Sequence, residues 1–245
     1  MGHYIQSDLD SQQKKLSRQD YDLRVTNLAR FILRKIPYSK ASLMDIGAGN
    51  GLVLRFFKRK GFAVSGMELS SALCEEMTKN PRMKGINIFQ GDISQKTGNE
   101  EYDVVMASDV IEHIKDDRQA LKNLFSFLKP GGVLVVTVPA HSHLFGKRDK
   151  LWGHYRRYDR NYLLKQLSTL NGNIVSMTYW NFVGYFTYFF YEKTLGKAVK
   201  ENIRYSSSLS SRLFRGVFDF ILRLEAFVGY VPWGLTLVAI IRKNK

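Results

Sequence analysis

From residue 42 onward the chain alternates short apolar runs with stretches of helical period, a rhythm that βαβ units around a parallel sheet produce. The run SLMDI (42–46) predicts a first strand and LVLRFFKRK (52–60) its helix, stopped at Gly61. FAVSGM (62–67), INIFQ (86–90), YDVVMA (102–107) and VLVVTV (133–138) predict further strands. A helix that Ser70 or Ser71 could cap follows the second strand, and a helix over 116–128 precedes the turn Pro130-Gly131-Gly132. Residues 139–159 lack a strand period and predict a long loop, of the kind that usually serves function. A helix (160–170), a strand-like run NIVSMTYW (173–180) and a last strand LTLVAII (235–241) complete the pattern. Residues 181–232 are helical and aromatic-rich, so the expected division is a main domain of 1–180 plus 233–245, with 181–232 as a helical insertion.

MDIGAGNG (44–51) joins the first strand to its helix and places glycines at 47, 49 and 51, where a ligand can approach bare backbone. The dinucleotide fingerprint needs its third glycine at 52, where this chain has Leu52. Asp45, ending the first strand, would repel a pyrophosphate but suits a ligand carrying an ammonium and a sulfonium. Glu68 ends the second strand, placed to accept ribose hydroxyls, and Asp92 ends the third, where an adenine amino group could be held. Acids at successive strand ends match the rule that ligands of open α/β sheets bind at the carboxyl edge.

DIGAGNG, Glu68 at its spacing, GDI, YDVVMASDVIEHI and LKPGGVLVVTVP together resemble the class I AdoMet-dependent methyltransferases, over roughly residues 20–180 and the final strand. The resemblance implies an α/β fold: a seven-stranded, doubly wound, mostly parallel sheet with a helical insertion before the last strand. An N-terminal helix (about 21–36) would lie over the cofactor cleft. It also implies S-adenosyl-L-methionine (AdoMet) as cofactor and S-adenosyl-L-homocysteine (AdoHcy) as product. Asp45, Gly47, Gly49 and Gly51 would contact the methionine part, Glu68 the ribose, and Asp92 with Ile93 the adenine. Ala48, Leu69 and Asp109 complete the implied cofactor site. A non-catalytic AdoMet-binding scaffold is the alternative, and the intact glycine turn counts against it.

After the fourth strand, Asp109, Glu112 and His113 form D-x-x-E-H. This is similar to the E-x-x-E-H of ubiquinone-type O-methyltransferases and small-RNA terminal ribose methyltransferases, where those side chains are associated with a divalent metal. Aspartate at the first position shortens the reach, so no metal is expected, and His113 is read as packing and hydrogen-bonding beneath the cofactor. After the fifth strand, residues 139–163 offer His141, His143 and His154 as bases. Arg156 and Arg157 could hold an acidic group on the acceptor. The competing reading is structural, with Tyr155, Arg157 and Tyr158 anchoring the next helix and Asp159 or Asn161 near its start. The catalytic candidates are therefore His113, His141, His154 and Arg157. GHYRRY also resembles a large bacterial group of methyltransferases associated with cell-surface glycan or lipid pathways. The expected reaction is O-methylation of a small or lipid-linked acceptor, saccharide or quinone-like, by direct in-line transfer.

The chain carries a net charge of +15, concentrated in two places. Residues 141–165 hold seven basic and two acidic side chains, and residues 192–245 ten basic and four acidic. Such an excess points to an anionic partner, so terminal ribose methylation of RNA is the first alternative. Against it, the basic residues lie beside apolar aromatics such as FTYFFYEK (186–193), and no separate RNA-binding module is seen. Phe182, Tyr185, Phe186, Phe189 and Phe190 recur at helical spacing, as do Leu213, Val217, Phe220, Ile221, Leu224 and Phe227. Lys193, Lys197, Lys200, Arg204, Arg212 and Arg215 lie between them or close by. An anionic membrane surface explains both features, while a homodimer explains the apolar faces alone. The lone cysteine, Cys74, excludes an intrachain disulfide; no signal peptide is read, because residues 1–30 lack a continuous apolar stretch, and no spanning helix, because Asn181 interrupts the uncharged stretch 171–191. The expected location is cytoplasmic, peripheral on the inner membrane face.

Overall fold

In the computed structural model, residues 22–95, 101–195 and 209–245 are described, with only the backbone given over 209–215. The expectations on Lys197, Lys200, Arg204, Arg212, Leu213 and Arg215 therefore lie outside the described side chains.

The predicted strands all form: β1 (Ser42–Ile46), β2 (Ala63–Glu68), β3 (Asn87–Gln90), β4 (Tyr102–Ser108), β5 (Leu128–Pro139), β6 (Gly172–Trp180) and β7 (Thr236–Lys243). They make one seven-stranded sheet in the order β3-β2-β1-β4-β5-β7-β6. Pairs β1–β2, β1–β4, β2–β3 and β4–β5 are parallel, and β7 runs antiparallel to both β5 and β6. β5 begins at Leu128, earlier than the apolar run, because Pro130-Gly131-Gly132 is absorbed as a register irregularity against β4. The order reverses between β1 and β4, which opens a crevice at their carboxyl ends.

Both faces of the sheet are covered, and the strands alternate accordingly. Val105 and Ala107 of β4 join one apolar cluster, with Leu121 and Leu124 of α4 (Asp117–Ser126) and Leu163 and Leu167 of α6 (Arg160–Leu167). Val104 and Met106 join the other, with Phe31 of α1 (Leu23–Leu33), Leu54 of α2 (Leu52–Arg59) and Leu222 of α8 (Leu209–Val228). Burying each of these valine, leucine, methionine or phenylalanine side chains contributes roughly 1.5–3 kcal/mol. Ser70 caps α3 (Ser71–Lys79), and Asp22 caps α1 by accepting from the N–H groups of Arg24 and Val25.

The stretch after β5 is more ordered than its sequence suggests. It holds a single 3₁₀ turn (Ser142–Leu144) and the short helix α5 (Lys147–Leu151), and Ala140 makes a parallel bridge to Tyr158. The side chain of Asp159 accepts from the N–H and hydroxyl of Ser142, pinning that turn in place of capping α6. Between β6 and β7 come α7 (Phe182–Tyr188), a π-helical turn (Phe189–Thr194) and α8, which packs on α1. Among the described residues, no helix is long and apolar enough to cross a membrane.

Candidate active site

The crevice is a cavity of about 320 Å³ at the end of β1 and β4, walled by α1 and by the segment after β5. Its floor is the β1–α2 turn. The N–H groups of Gly47 and Ala48 donate to Met67 O of β2, and the turn needs positive φ at Gly47 (72°) and Gly49 (57°). The two glycines differ in what surrounds them. A Cβ on Gly47 would stand 2.5 Å from Cγ2 of Val110, whereas one on Gly49 would meet nothing nearer than Gly47 O at 4.0 Å. Gly47 is thus required by packing, while Gly49 bares its backbone to the cavity.

Asp45 lies under this turn, 2% exposed, with no basic side chain paired to it among the described residues. Burial, reinforced by the nearby Glu68 charge, pushes its pKa up to about 8. Glu68 braces the turn, accepting from the N–H of Gly49 at 2.8 Å and of Ser70 at 3.0 Å.

The end of β4 contributes a second acidic group. Asp109 takes a left-handed conformation (φ 54°) and pairs with Arg24 of α1. Glu112 is fully buried, and neither carboxylate oxygen has a hydrogen-bond partner. Burial first, then the Asp109 charge, raises its pKa well above the usual carboxylate range. His113 meets His154 edge to face at 4.6 Å, and burial together with His154 lowers its pKa to about 4. The ligand atoms of Glu112, His113 and His154 all lie within 4.8 Å of one another, a donor set that could hold a divalent ion.

Asp149 of α5 organises the opposite wall. It accepts from Gly146 N–H (2.9 Å), His154 Nδ1 (2.9 Å), Arg157 Nε (2.8 Å) and the Tyr188 hydroxyl (2.9 Å). Burial alone would raise its pKa, but the bonds from His154 and Arg157 hold it well below the ordinary carboxylate value. A carboxylate at Nδ1 assigns the proton to that nitrogen and leaves Nε2 of His154 able to accept one.

The cavity thus brings together Asp45, Gly47, Ala48, Gly49, Asp109, His113, His154 and Arg157. Arg157 faces Asp149 and lies 4.2 Å from the Tyr188 ring centroid, so it steadies the wall. Gly51 sits beneath Met77 and Met83, Leu69 is half exposed, Asp92 accepts from Ser94 N–H, and Ile93 is in the core. His141 stands outside the cavity lining, stacked on Trp233 at 4.3 Å with Nε2 bonded to Gly234 O. His143 is exposed, and Arg156 is spent on Asp117 and the carbonyls of Ile114 and Lys115. Asp149, Tyr188 and Arg24 belong to the site without having been singled out in the sequence. An aspartate five residues before His154 was the one available signal.

A family model described as a methyltransferase domain matches residues 16–202. The chain belongs to this methyltransferase domain family. Among curated relatives, the ubiquinone biosynthesis O-methyltransferase of Rickettsia canadensis is 32% identical over 101 residues, covering 40% of this chain and 43% of that protein. The same enzyme of Caulobacter vibrioides is 31% identical over 121 residues, covering 46% of this chain and 48% of its own. The match thus spans less than half the length of these relatives. Solved structures share the fold. The N-methyltransferase NodS of Bradyrhizobium japonicum, in complex with AdoHcy, gives a TM-score of 0.59 at 14% identity over 97% of this chain and all of its own. The glycopeptide N-methyltransferase MtfA with AdoHcy gives 0.58 at 12% identity, covering 89% of this chain and 90% of that one.

Proposed function

We propose that the chain transfers a methyl group from AdoMet to a hydroxyl of a small or lipid-linked acceptor, with His154 as the base that takes the hydroxyl proton. The observation that carries this reading is one cavity holding both a floor suited to AdoMet and the Asp149–His154 pair. Two features of the floor fit the cofactor. Asp45 is a buried carboxyl without a cation, as a ligand ammonium would require, and a Cβ at Gly49 would fill the cradle. Asp45, Gly47, Ala48 and Gly49 would hold the methionine part. Glu68, Leu69, Asp92 and Ile93, at the ends of β2 and β3, lie on the side toward which the nucleoside would extend. Bound there, AdoMet supplies an electrophilic methyl group on sulfur.

The protein's own work is alignment and proton transfer. Asp149 fixes the imidazole of His154 and its tautomer, while Arg157 and Tyr188 hold Asp149 in place. The acceptor proton passes to Nε2 as the oxygen–carbon bond forms and the carbon–sulfur bond breaks. The curated relatives support oxygen as the acceptor atom, since they are named O-methyltransferases. A second reading rests on the orphaned Glu112, which with His113 and His154 would hold a divalent ion that acidifies the hydroxyl. Transfer of labelled methyl to candidate phenols and lipid-linked alcohols, with His154→Gln beside the wild type, tests the proposal. Unchanged turnover in His154→Gln, on an acceptor the wild type methylates, overturns the assignment of the base.

A further inference from the structure

The helix α8 presents apolar residues to solvent as well as to the core. Leu222 and Ala226 are buried, yet Phe220 is 65% exposed, Phe227 69% and Val228 61%, and Val217 and Leu224 share that outer stripe. The start of α7 is tied to the same place, because Glu225 of α8 accepts from the N–H groups of Asn181 and Phe182. From there α7 and its π-helical turn expose Phe186 and Phe190. A soluble surface scatters such side chains singly, and a concentration of them marks an interaction site.

The surroundings of the patch indicate what covers it. Tyr230 and Trp233, the residue types that settle at a membrane–water boundary, are exposed just past the end of α8. The Arg34 guanidinium stands 5.0 Å from the Phe227 ring centroid, at the border of the stripe. Along the sequence, the segment 192–245 that contains α8 holds ten basic and four acidic residues, and the chain as a whole carries a net charge of +15. Two copies meeting through such a face would bring like charges together, while an anionic surface would draw them in.

We propose that the outer faces of α7 and α8 dock on the surface of an anionic lipid bilayer, the aromatics entering the headgroup boundary and the basic side chains facing the lipid charge. The docking is peripheral. Its position bears on the cavity, since α1 packs on α8 through the Asn27–Asp219 hydrogen bond and lines the cavity with Val25 and Leu28. The cleft would therefore open beside the bilayer and meet a lipid-borne hydroxyl, a consequence that rests on the methyl-transfer reading; the docking itself does not.

The test is co-sedimentation of the full chain with phosphatidylcholine vesicles, with and without phosphatidylglycerol, at low and high salt. The wild type should pellet with the anionic vesicles at low salt and be released by salt. Phe220→Ser/Phe227→Ser, both exposed and remote from the cavity lining, should weaken binding about tenfold or more. AdoHcy affinity should be unchanged in that variant, which shows that the fold is intact. Wild type remaining in solution with anionic vesicles, equal binding by the variant, or a stable dimer that buries Phe220 and Phe227 overturns the proposal. Salt-sensitive binding to single-stranded RNA but not to vesicles overturns it as well.

Discussion

Asp45→Asn should stabilise the ligand-free protein while destroying its use. In the folded chain, burial and the Glu68 charge raise the Asp45 pKa to about 8, while in the unfolded chain it falls to the ordinary aspartate value of about 3.9. Between those values the unfolded chain is ionised there and the folded chain still carries the proton, so stability falls as pH rises. Below about pH 4 both states are protonated and the penalty vanishes; above about pH 8 both are ionised and it stops growing. At pH 7 the separation of about three units corresponds to about 4 kcal/mol, an upper bound because the buried Asn amide also needs partners. Urea unfolding of wild type and Asp45→Asn without ligand should give a difference in favour of the variant that is near 1–2 kcal/mol at pH 5 and larger at pH 7. AdoHcy binding, measured by calorimetry, should fall by at least tenfold in the variant. In the wild type at pH 7, binding should release close to one proton, about the stoichiometry expected when a ligand ammonium ionises the carboxyl. A stability difference that does not change with pH, or a less stable variant, refutes the argument from burial.

Gly49→Ala should fold with a strain cost of about 1–2 kcal/mol but lose AdoHcy affinity, read by thermal unfolding and calorimetry, because its Cβ points into the cavity. Gly47→Ala should instead lose stability, since its Cβ would stand 2.5 Å from Val110. His154→Gln should lower kcat by about 10²–10⁴ with little change in AdoMet affinity, read by steady-state kinetics and calorimetry. If His154 is the base, activity should survive EDTA; loss on chelation and recovery with Mg²⁺ or Mn²⁺ would transfer the role to an ion at Glu112, His113 and His154. Arg157→Met should lower the melting temperature and kcat together, because it leaves the Asp149 carboxylate buried with one partner fewer.

The fold was legible because its signals are local and repeat. Strand and helix periods, the glycine turn and the acids at strand ends are each contained within a few residues, and the sheet places them along one edge without further information. The Asp149 network is different: His154 is near in sequence, but Tyr188 is 39 positions away, and only the packing of α7 against the segment after β5 joins them. His141 shows the same limit from the other side. In sequence it is equivalent to His154, yet its own left-handed backbone (φ 66°) accompanies a ring stacked on Trp233 and Tyr179. In α8, Leu222 and Phe220 are both apolar, and no periodicity says which one α1 covers.

The distribution of charge carries the argument one step further. The surface is strongly basic, but the cavity gathers Asp45, Asp109, Glu112 and Asp149. Arg24 neutralises Asp109, and Arg157 neutralises Asp149. Asp45 has no basic partner among the described residues, Glu112 feels the Arg24 and Arg157 charges without an ion pair to either, and burial raises the pKa of both. Burial disfavours the charged form of each, and a cation placed beside either carboxyl would offset that cost. Asp45 lies beneath the glycine turn, and Glu112 stands beside His113 and His154. On the methyl-transfer proposal, that arrangement separates the carboxyl that would hold the donor from the histidines that would receive the acceptor hydroxyl.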